Sequence, residues 1–180
     1  MNRIRLSPLR PEDMAAYTDL YENSFPPEER KPLSYMLTGD RAPAYEVLVI
    51  STDDVRVAGM VITVRNGDLV MMDYFAVSPA LRGRGIGRAA LPLIRERYSG
   101  AAFFLEIERP VEGCDNLPQR VRRATFYASA GMVSTSVYAY IYGTEMELLA
   151  FPDDVASVTF EGYAALLAAH FPPEMQPKRI

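Results

Sequence analysis

At 180 residues, 49% hydrophobic and 23% charged, the chain has the make-up of one soluble domain, or of one domain with a modest appendage, and can bury a core without staples. A formal net charge of −4 argues against general nucleic-acid binding, and no apolar run approaches the length of a membrane span. Cys114 is the only cysteine, so no intramolecular disulfide can form; with no signal-peptide pattern in MNRIRLSPLRPED, the expected location is the cytoplasm.

In chain order, Arg3–Leu6 alternates and reads as a first strand, ended by Pro8 and Pro11. Residues 12–24 carry Met14, Tyr17, Leu20 and Tyr21 at helical spacing. A loop follows (Phe25-Pro26-Pro27-Glu28-Glu29-Arg30-Lys31-Pro32), stiffened by its prolines and crowded with charge, then a short second helix over Leu33–Leu37. Tyr45–Ser51 and Val57–Val64 read as strands around the turn Thr52-Asp53-Asp54. Asn66-Gly67 is a hairpin signal leading into Leu69–Val77, so these three strands are expected to form an antiparallel meander. Ile86–Tyr98 places Ile86, Ala90, Leu91 and Ile94 on one helical face, and Ala102–Glu108 is a strand expected to run parallel to Leu69–Val77. Gln119–Ala130 is a helix stopped by Gly131; Val133–Tyr142 alternates as a strand, and Glu145–Ala150 pairs with it. A last helix near Phe160–His170 precedes a proline-bearing tail, which either packs on the domain or mediates self-association as a homodimer.

Between the strand 69–77 and the helix that follows lies Arg82-Gly83-Arg84-Gly85-Ile86-Gly87. A glycine turn feeding a helix start leaves several backbone N–H groups pointing one way at the positive end of the helix dipole, which is an anion site. The Walker spacing is absent, because no Lys-Ser or Lys-Thr follows the glycines. A dinucleotide fingerprint would need glycine where Arg88 stands, although Glu106 and Glu108 on the next strand keep that reading weakened rather than eliminated. Arg/Gln-x-x-Gly-x-Gly/Ala directly after a strand fits at every fixed position. A bare surface turn or an RNA-binding arginine-glycine tract fits less well, since the segment sits between two strongly patterned elements.

That loop resembles the coenzyme A loop of the GCN5-related N-acetyltransferase (GNAT) superfamily, in its bacterial form. A second stretch, Arg123 to Met132, is similar to the family's helix-borne Phe-Tyr-x-x-x-Gly-Phe, with Met132 in place of the last Phe. The element order β-α-α-β-β-β-α-β-α-β-β is also the family's, and the resemblance covers about residues 3–150. It implies an α/β fold of the mixed α+β kind: a largely antiparallel sheet with a splayed parallel pair at strands 69–77 and 102–108, an acetyltransferase domain over 1–150, and a helical C-terminal extension, 151–180, packed on it.

The resemblance further implies that acetyl-CoA is the co-substrate. Its pantetheine arm pairs with backbone of Phe75, Ala76 and Val77, and its pyrophosphate sits on the N–H groups of Arg84, Gly85, Ile86, Gly87 and Arg88, with Arg82, Gly83 and Phe126 also on the cofactor side. Tyr127 stands where the family often keeps the proton donor for the departing thiol; otherwise it packs on the core face of its helix. The implied reaction is direct acetyl transfer to a primary amine of a small molecule or peptide in a ternary complex, since Cys114 lies outside both motifs. A non-catalytic acyl-CoA sensor or interaction module on the same fold is the alternative.

Transfer to an amine requires a neutral nucleophile, hence a base. Asp73 is a carboxylate inside an apolar strand, costly unless it faces a cleft or a partner. Glu106 and Glu108 stand two apart on the next strand and share a face. Each is a candidate base or a salt-bridge partner of Arg109, Arg122 or Arg123. Acidic pocket residues would favour a cationic amine. Glu28, Glu29 and Arg30 either line the acceptor entrance or form a solvated cluster. His170 reads as structural, and no metal is expected.

Overall fold

The computed structural model describes residues 3–38, 40–114, 116–141 and 143–180, without the side chains of Glu28 and Glu174. Tyr142, placed at the end of an expected strand, and the Glu28 side chain, named for the acceptor entrance, therefore lie outside the described residues. The chain divides into two compact units: residues up to Val64 with Met72–Arg97, and Arg65–Met71 with Tyr98–Ile180.

The first unit contains β1 (Arg5–Pro8), α1 (Met14–Ser24), α2 (Leu33–Leu37), β2 (Tyr45–Ser51), most of β3 (Gly59–Asn66) and of β4 (Leu69–Val77), and α3 (Ile86–Arg97). Its strand order is β1-β2-β3-β4, with Leu6 opposite Ile50 and Val47 opposite Ile62 in antiparallel register. β1 starts two residues later than the alternation suggests, because the Arg3 N–H is taken by the Asp53 carboxylate at 3.0 Å. Pro8 is tolerated at its end because β1 is an edge strand. β3 also starts late: the chain first completes the turn in which Thr52 N–H bonds to the Val55 carbonyl and Ala58 N–H to that of Ile50. The core is built from Tyr17, Leu48, Ile50, Met60, Ile62, Leu91 and Ile94, each essentially inaccessible.

Gly59 marks a close approach between strands. A Cβ there would sit 2.7 Å from the Ala76 carbonyl oxygen and 3.1 Å from Ile50 Cδ1. Backbone cannot yield as a side-chain end can, so Gly59→Ala is expected to lower stability by about 1–3 kcal/mol, the usual cost of overpacking. Urea unfolding checks this; a midpoint equal to that of the wild type would show that β4 accommodates the methyl group.

The second unit holds the start of β4, β5 (Ala102–Glu108), α4 (Leu117–Ser129), β6 (Val133–Ile141), β7 (Thr144–Ala150), α5 (Phe160–His170) and β8 (Lys178–Arg179). Its strand order is β4-β5-β7-β6-β8. The Ala102 N–H bonds to the Asp68 carbonyl at 2.8 Å, and β5 runs parallel to β4, whereas β5–β7, β6–β7 and β6–β8 are antiparallel. α4 starts at Leu117, ahead of the expected Gln119, because Pro118 fits a first helical turn, where its missing N–H costs nothing. The smooth alternation read in β6 hides a register shift between Ser134 and Tyr138, centred on Ser136 at φ 60°. The proline-bearing tail ends in β8, with Arg179 opposite Ala139. The expected fold class holds: a mixed α/β fold, largely antiparallel, with β4 and β5 as the parallel pair.

Candidate active site

In the first unit the chain leaves β4 through a single 3-10 turn, Pro79–Leu81. The Ser78 N–H bonds back to the Ala58 carbonyl at 2.9 Å, and Arg82 Nε–H to the Val77 carbonyl at 3.2 Å, so the loop's first residue is fastened to the strand it leaves. Gly83 and Gly85 both adopt φ +77°, the left-handed region where a side chain is strained. Ala89 N–H bonds to the Gly85 carbonyl at 3.0 Å and begins the helical ladder. The N–H groups of Gly85 to Arg88 thus have no intrahelical carbonyl available, and the helix dipole adds partial positive charge there. Ile86 and Gly87 are buried beneath this turn, while Arg82, Arg84 and Arg88 are exposed around it.

Phe75, Ala76 and Val77 close β4 immediately before this loop, so the first unit gathers the expected cofactor residues 75–77 and 82–88 in one region. Two left-handed glycines, a row of helix-start amides and three exposed guanidinium groups suit a diphosphate ester. A cavity of about 280 Å³ adjoins the loop, walled by Arg84, Gly85, Ile86 and Ala89 with Leu81 and Val55.

Asp73 lies in the same unit. Its carboxylate oxygens stand 2.9 and 2.7 Å from Lys31 Nζ, and the two side chains are only 8% and 13% exposed. Its partner is therefore Lys31 rather than any of the arginines considered from the sequence. Burial pushes the Asp73 carboxyl above its ordinary value, and the Lys31 ammonium pulls in the opposite direction. Around this pair the Tyr74 hydroxyl donates to the Glu29 carbonyl at 2.7 Å and accepts from the Lys31 N–H at 3.1 Å. The Tyr21 hydroxyl donates to the Lys31 carbonyl at 3.0 Å. The Tyr21, Phe25 and Tyr74 rings cluster with centroids 4.9–5.6 Å apart, Tyr74 edge-on to both of the others. The proline-stiffened loop after α1 is thus fixed to the middle of β4, beneath an open cavity of about 590 Å³ lined by Tyr21, Arg30, Lys31, Leu33 and Leu37. Lys31, Tyr21 and Tyr74 are the residues sequence reasoning missed; the only signal was a carboxylate in an apolar strand, which required a partner without naming it.

The second unit holds the remaining candidates. Tyr127 is buried on α4, where loss of solvent pushes its hydroxyl up to about 12 against the opposing pull of Arg123. Phe126 packs beside Tyr127, with ring centroids 5.0 Å apart. The helix end is set by Gly131 at φ 91° and by the Met132 N–H, which returns to the Tyr127 carbonyl at 3.1 Å.

The two glutamates of β5 have separate surroundings. Glu106 accepts a hydrogen bond from the Tyr163 hydroxyl of α5. Glu108 is engaged by Arg120 at 3.1 Å, and by Arg123 and Asn116 at 3.4 Å. Arg109 instead pairs with Glu145 at 2.7 Å, over the Tyr138 ring. His170 ends α5, and Cys114 is a half-buried thiol in the loop before α4. Among the described residues no cluster of three His, Cys, Asp or Glu side chains could hold a metal ion, and no helix is long and apolar enough to cross a membrane.

The family model described as acetyltransferase (GNAT) family matches residues 14–112. Among solved structures, a chain assigned to the GNAT acetyltransferases of Bacteroides thetaiotaomicron shares 28% identity with this one, over 92% of this chain and 96% of its own, at TM-score 0.70. Spermidine N-acetyltransferase from Vibrio cholerae, solved with CoA and spermine, aligns at 12% identity over 85% and 98%, TM-score 0.63. The ribosomal-protein-S18-alanine N-acetyltransferase of Escherichia coli aligns at 20% identity over 83% and 94%, TM-score 0.58. A search of curated proteins finds no match.

Proposed function

Because the chain belongs to the GNAT acetyltransferase family, we propose that it transfers an acetyl group from acetyl-CoA to a primary amine of a small molecule or peptide, directly and within a ternary complex, in the cytoplasm. The observation that carries this reading is the loop 82–88, whose two left-handed glycines and helix-start amides suit a pyrophosphate. In this reading the amides of Gly85 to Arg88 hold the pyrophosphate, and the main chain of Phe75 to Val77 pairs with the pantetheine arm as an added strand would. Residues 151–180 act as an extension of the same domain, with α5 seated on β5 through Tyr163 and Phe104, rings 6.2 Å apart.

The chemistry forms a C–N bond and breaks a C–S bond; the amine loses a proton and the sulfur gains one. Tyr127 is assigned the donor role: burial, which pushes its hydroxyl up to about 12, keeps it protonated at neutral pH and makes it the weaker acid, so its proton would pass only as the C–S bond breaks and charge gathers on sulfur. Of the candidate acids we assign Glu106 as base, acting on the ammonium directly or through one water. Asp73 is tied to Lys31 and serves to hold the loop after α1, and Glu108 is tied to α4.

Tyr127→Phe tests the assignment. With acetyl-CoA and a panel of primary amines that includes spermine and an alanine-ended peptide, thiol release is expected to fall about 10²-fold or more. Acetyl-CoA affinity should change little. Undiminished turnover would remove Tyr127 from the mechanism. The sensor reading predicts tight cofactor binding with only background release in the wild type.

A further inference from the structure

We infer that Tyr163, on the C-terminal helix α5, is a positioning residue for Glu106, holding the carboxylate of β5 in place and in its charged form. The inference rests on the assignment of Glu106 as base. Tyr163 is fully buried, and a phenol taken from water must donate its proton to an acceptor nearby; the acceptor it finds is Glu106. An O–H donating to a carboxylate is among the stronger hydrogen bonds a side chain makes.

The placement is built in along the whole first turn of α5. Thr159 caps the helix, its hydroxyl accepting from the Gly162 N–H at 3.1 Å. Gly162 sits so close to β4 that an added Cβ would lie 2.6 Å from Leu69 Cδ1. The next residue is Tyr163, whose ring meets Phe104 edge-on while its hydroxyl reaches Glu106, 57 positions earlier in the chain. This helix lies outside the segment matched by the family model, residues 14–112.

Other charged groups lie on the elements packed against β5, among them the buried Asp154 of the 3-10 turn Pro152–Ser157. Glu108, two positions along β5, is paired with Arg120 and Arg123 of α4. On β7 the residue opposite Glu106 is Leu148; Glu147 stands opposite Ile107 and so faces the other side of the sheet. From α5, Tyr163 donates its hydroxyl proton to Glu106. Losing its hydroxyl would therefore remove a donor that favours the charged carboxylate, and Glu106 would bind a proton more readily.

Carbon-13 NMR of the glutamate side-chain carboxyls, with the Glu106 resonance assigned by its absence in Glu106→Gln, reads this directly. In Tyr163→Phe the Glu106 titration is expected at a higher pH than in the wild type, by roughly a tenfold change in protonation constant. The acidic limb of amine-dependent thiol release should move with it, at unchanged KM for acetyl-CoA. Coincident titrations in the two proteins overturn the inference. So does a shifted titration combined with full turnover in Glu106→Gln, because then Glu106 is held but is not the base. Wild-type protein without amine-dependent release would instead overturn the acetyltransferase reading, a separate outcome. Should Tyr163→Phe not fold, the Tyr163 Cζ resonance gives a reciprocal reading: it is expected to move between wild type and Glu106→Gln, and an unmoved resonance rejects the pairing.

Discussion

Gly85→Asp is expected to raise the dissociation constant for acetyl-CoA by about 100-fold or more while leaving the protein folded. Position 85 combines a left-handed backbone with the start of α3, where its own N–H and the next three have no helical partner. Aspartate is one of the few residues that tolerates a left-handed φ, so the conformational cost to the fold is small. Its carboxylate, however, would stand at the amides meant for a diphosphate. Like charges brought together in a binding site cost several kcal/mol, and each 1.4 kcal/mol is tenfold in affinity. Gly85→Ala carries the backbone strain without the charge and should lose less. Titration calorimetry at fixed salt separates the two, and a Gly85→Asp affinity within twofold of the wild type would mean that the pyrophosphate binds elsewhere.

Lys31→Met should cost about 3–5 kcal/mol of folding stability, because it strands the Asp73 carboxylate in the interior. The side chains are matched in length, so the loss is of charge rather than volume. The deficit should also depend on pH in a defined direction. Asp73 is already raised in the folded state above its ordinary 3.8, burial outweighing Lys31. A carboxyl raised on folding contributes stability that is fully present below its unfolded pKa and is lost as pH rises through the folded one. Removing Lys31 raises the folded value further, so the deficit of Lys31→Met should shrink on acidification and be full at neutral pH. Replacing both partners, Lys31→Met with Asp73→Leu, should recover most of the stability, since an apolar pair of similar volume leaves no buried charge. Urea unfolding across pH measures all three. A deficit under 1 kcal/mol, or one that grows on acidification, would show that Asp73 is not buried as an ion.

Local features were legible and distant ones were not. The glycine loop, its preceding strand and its following helix are contiguous, so phosphate chemistry and secondary structure could be read from one window of residues 69–98. The helix carrying Phe126 and Tyr127 was likewise marked locally, by its Phe-Tyr motif and by Gly131 at its end. The Lys31–Asp73 pair joins positions 42 apart, and Tyr163–Glu106 positions 57 apart. No periodicity encodes such pairs; the sequence indicates only that a carboxylate in an apolar strand must have a partner. The shift in β6 escaped for a different reason: between Ser134 and Tyr138 the pairing with β7 moves by two residues, which keeps the period-two facing, so the alternation runs on through it. β8 escaped because a two-residue strand has no pattern of its own and is defined by pairing with β6.

Acyl transfer from acetyl-CoA to an amine is measured most directly as thiol release from acetyl-CoA in the presence and absence of each amine in a panel. Amine-dependent release is expected with at least one acceptor, reduced about 10²-fold in Tyr127→Phe. Micromolar or tighter acetyl-CoA binding with release at background for every amine would contradict it and leave an acyl-CoA sensor on the same fold.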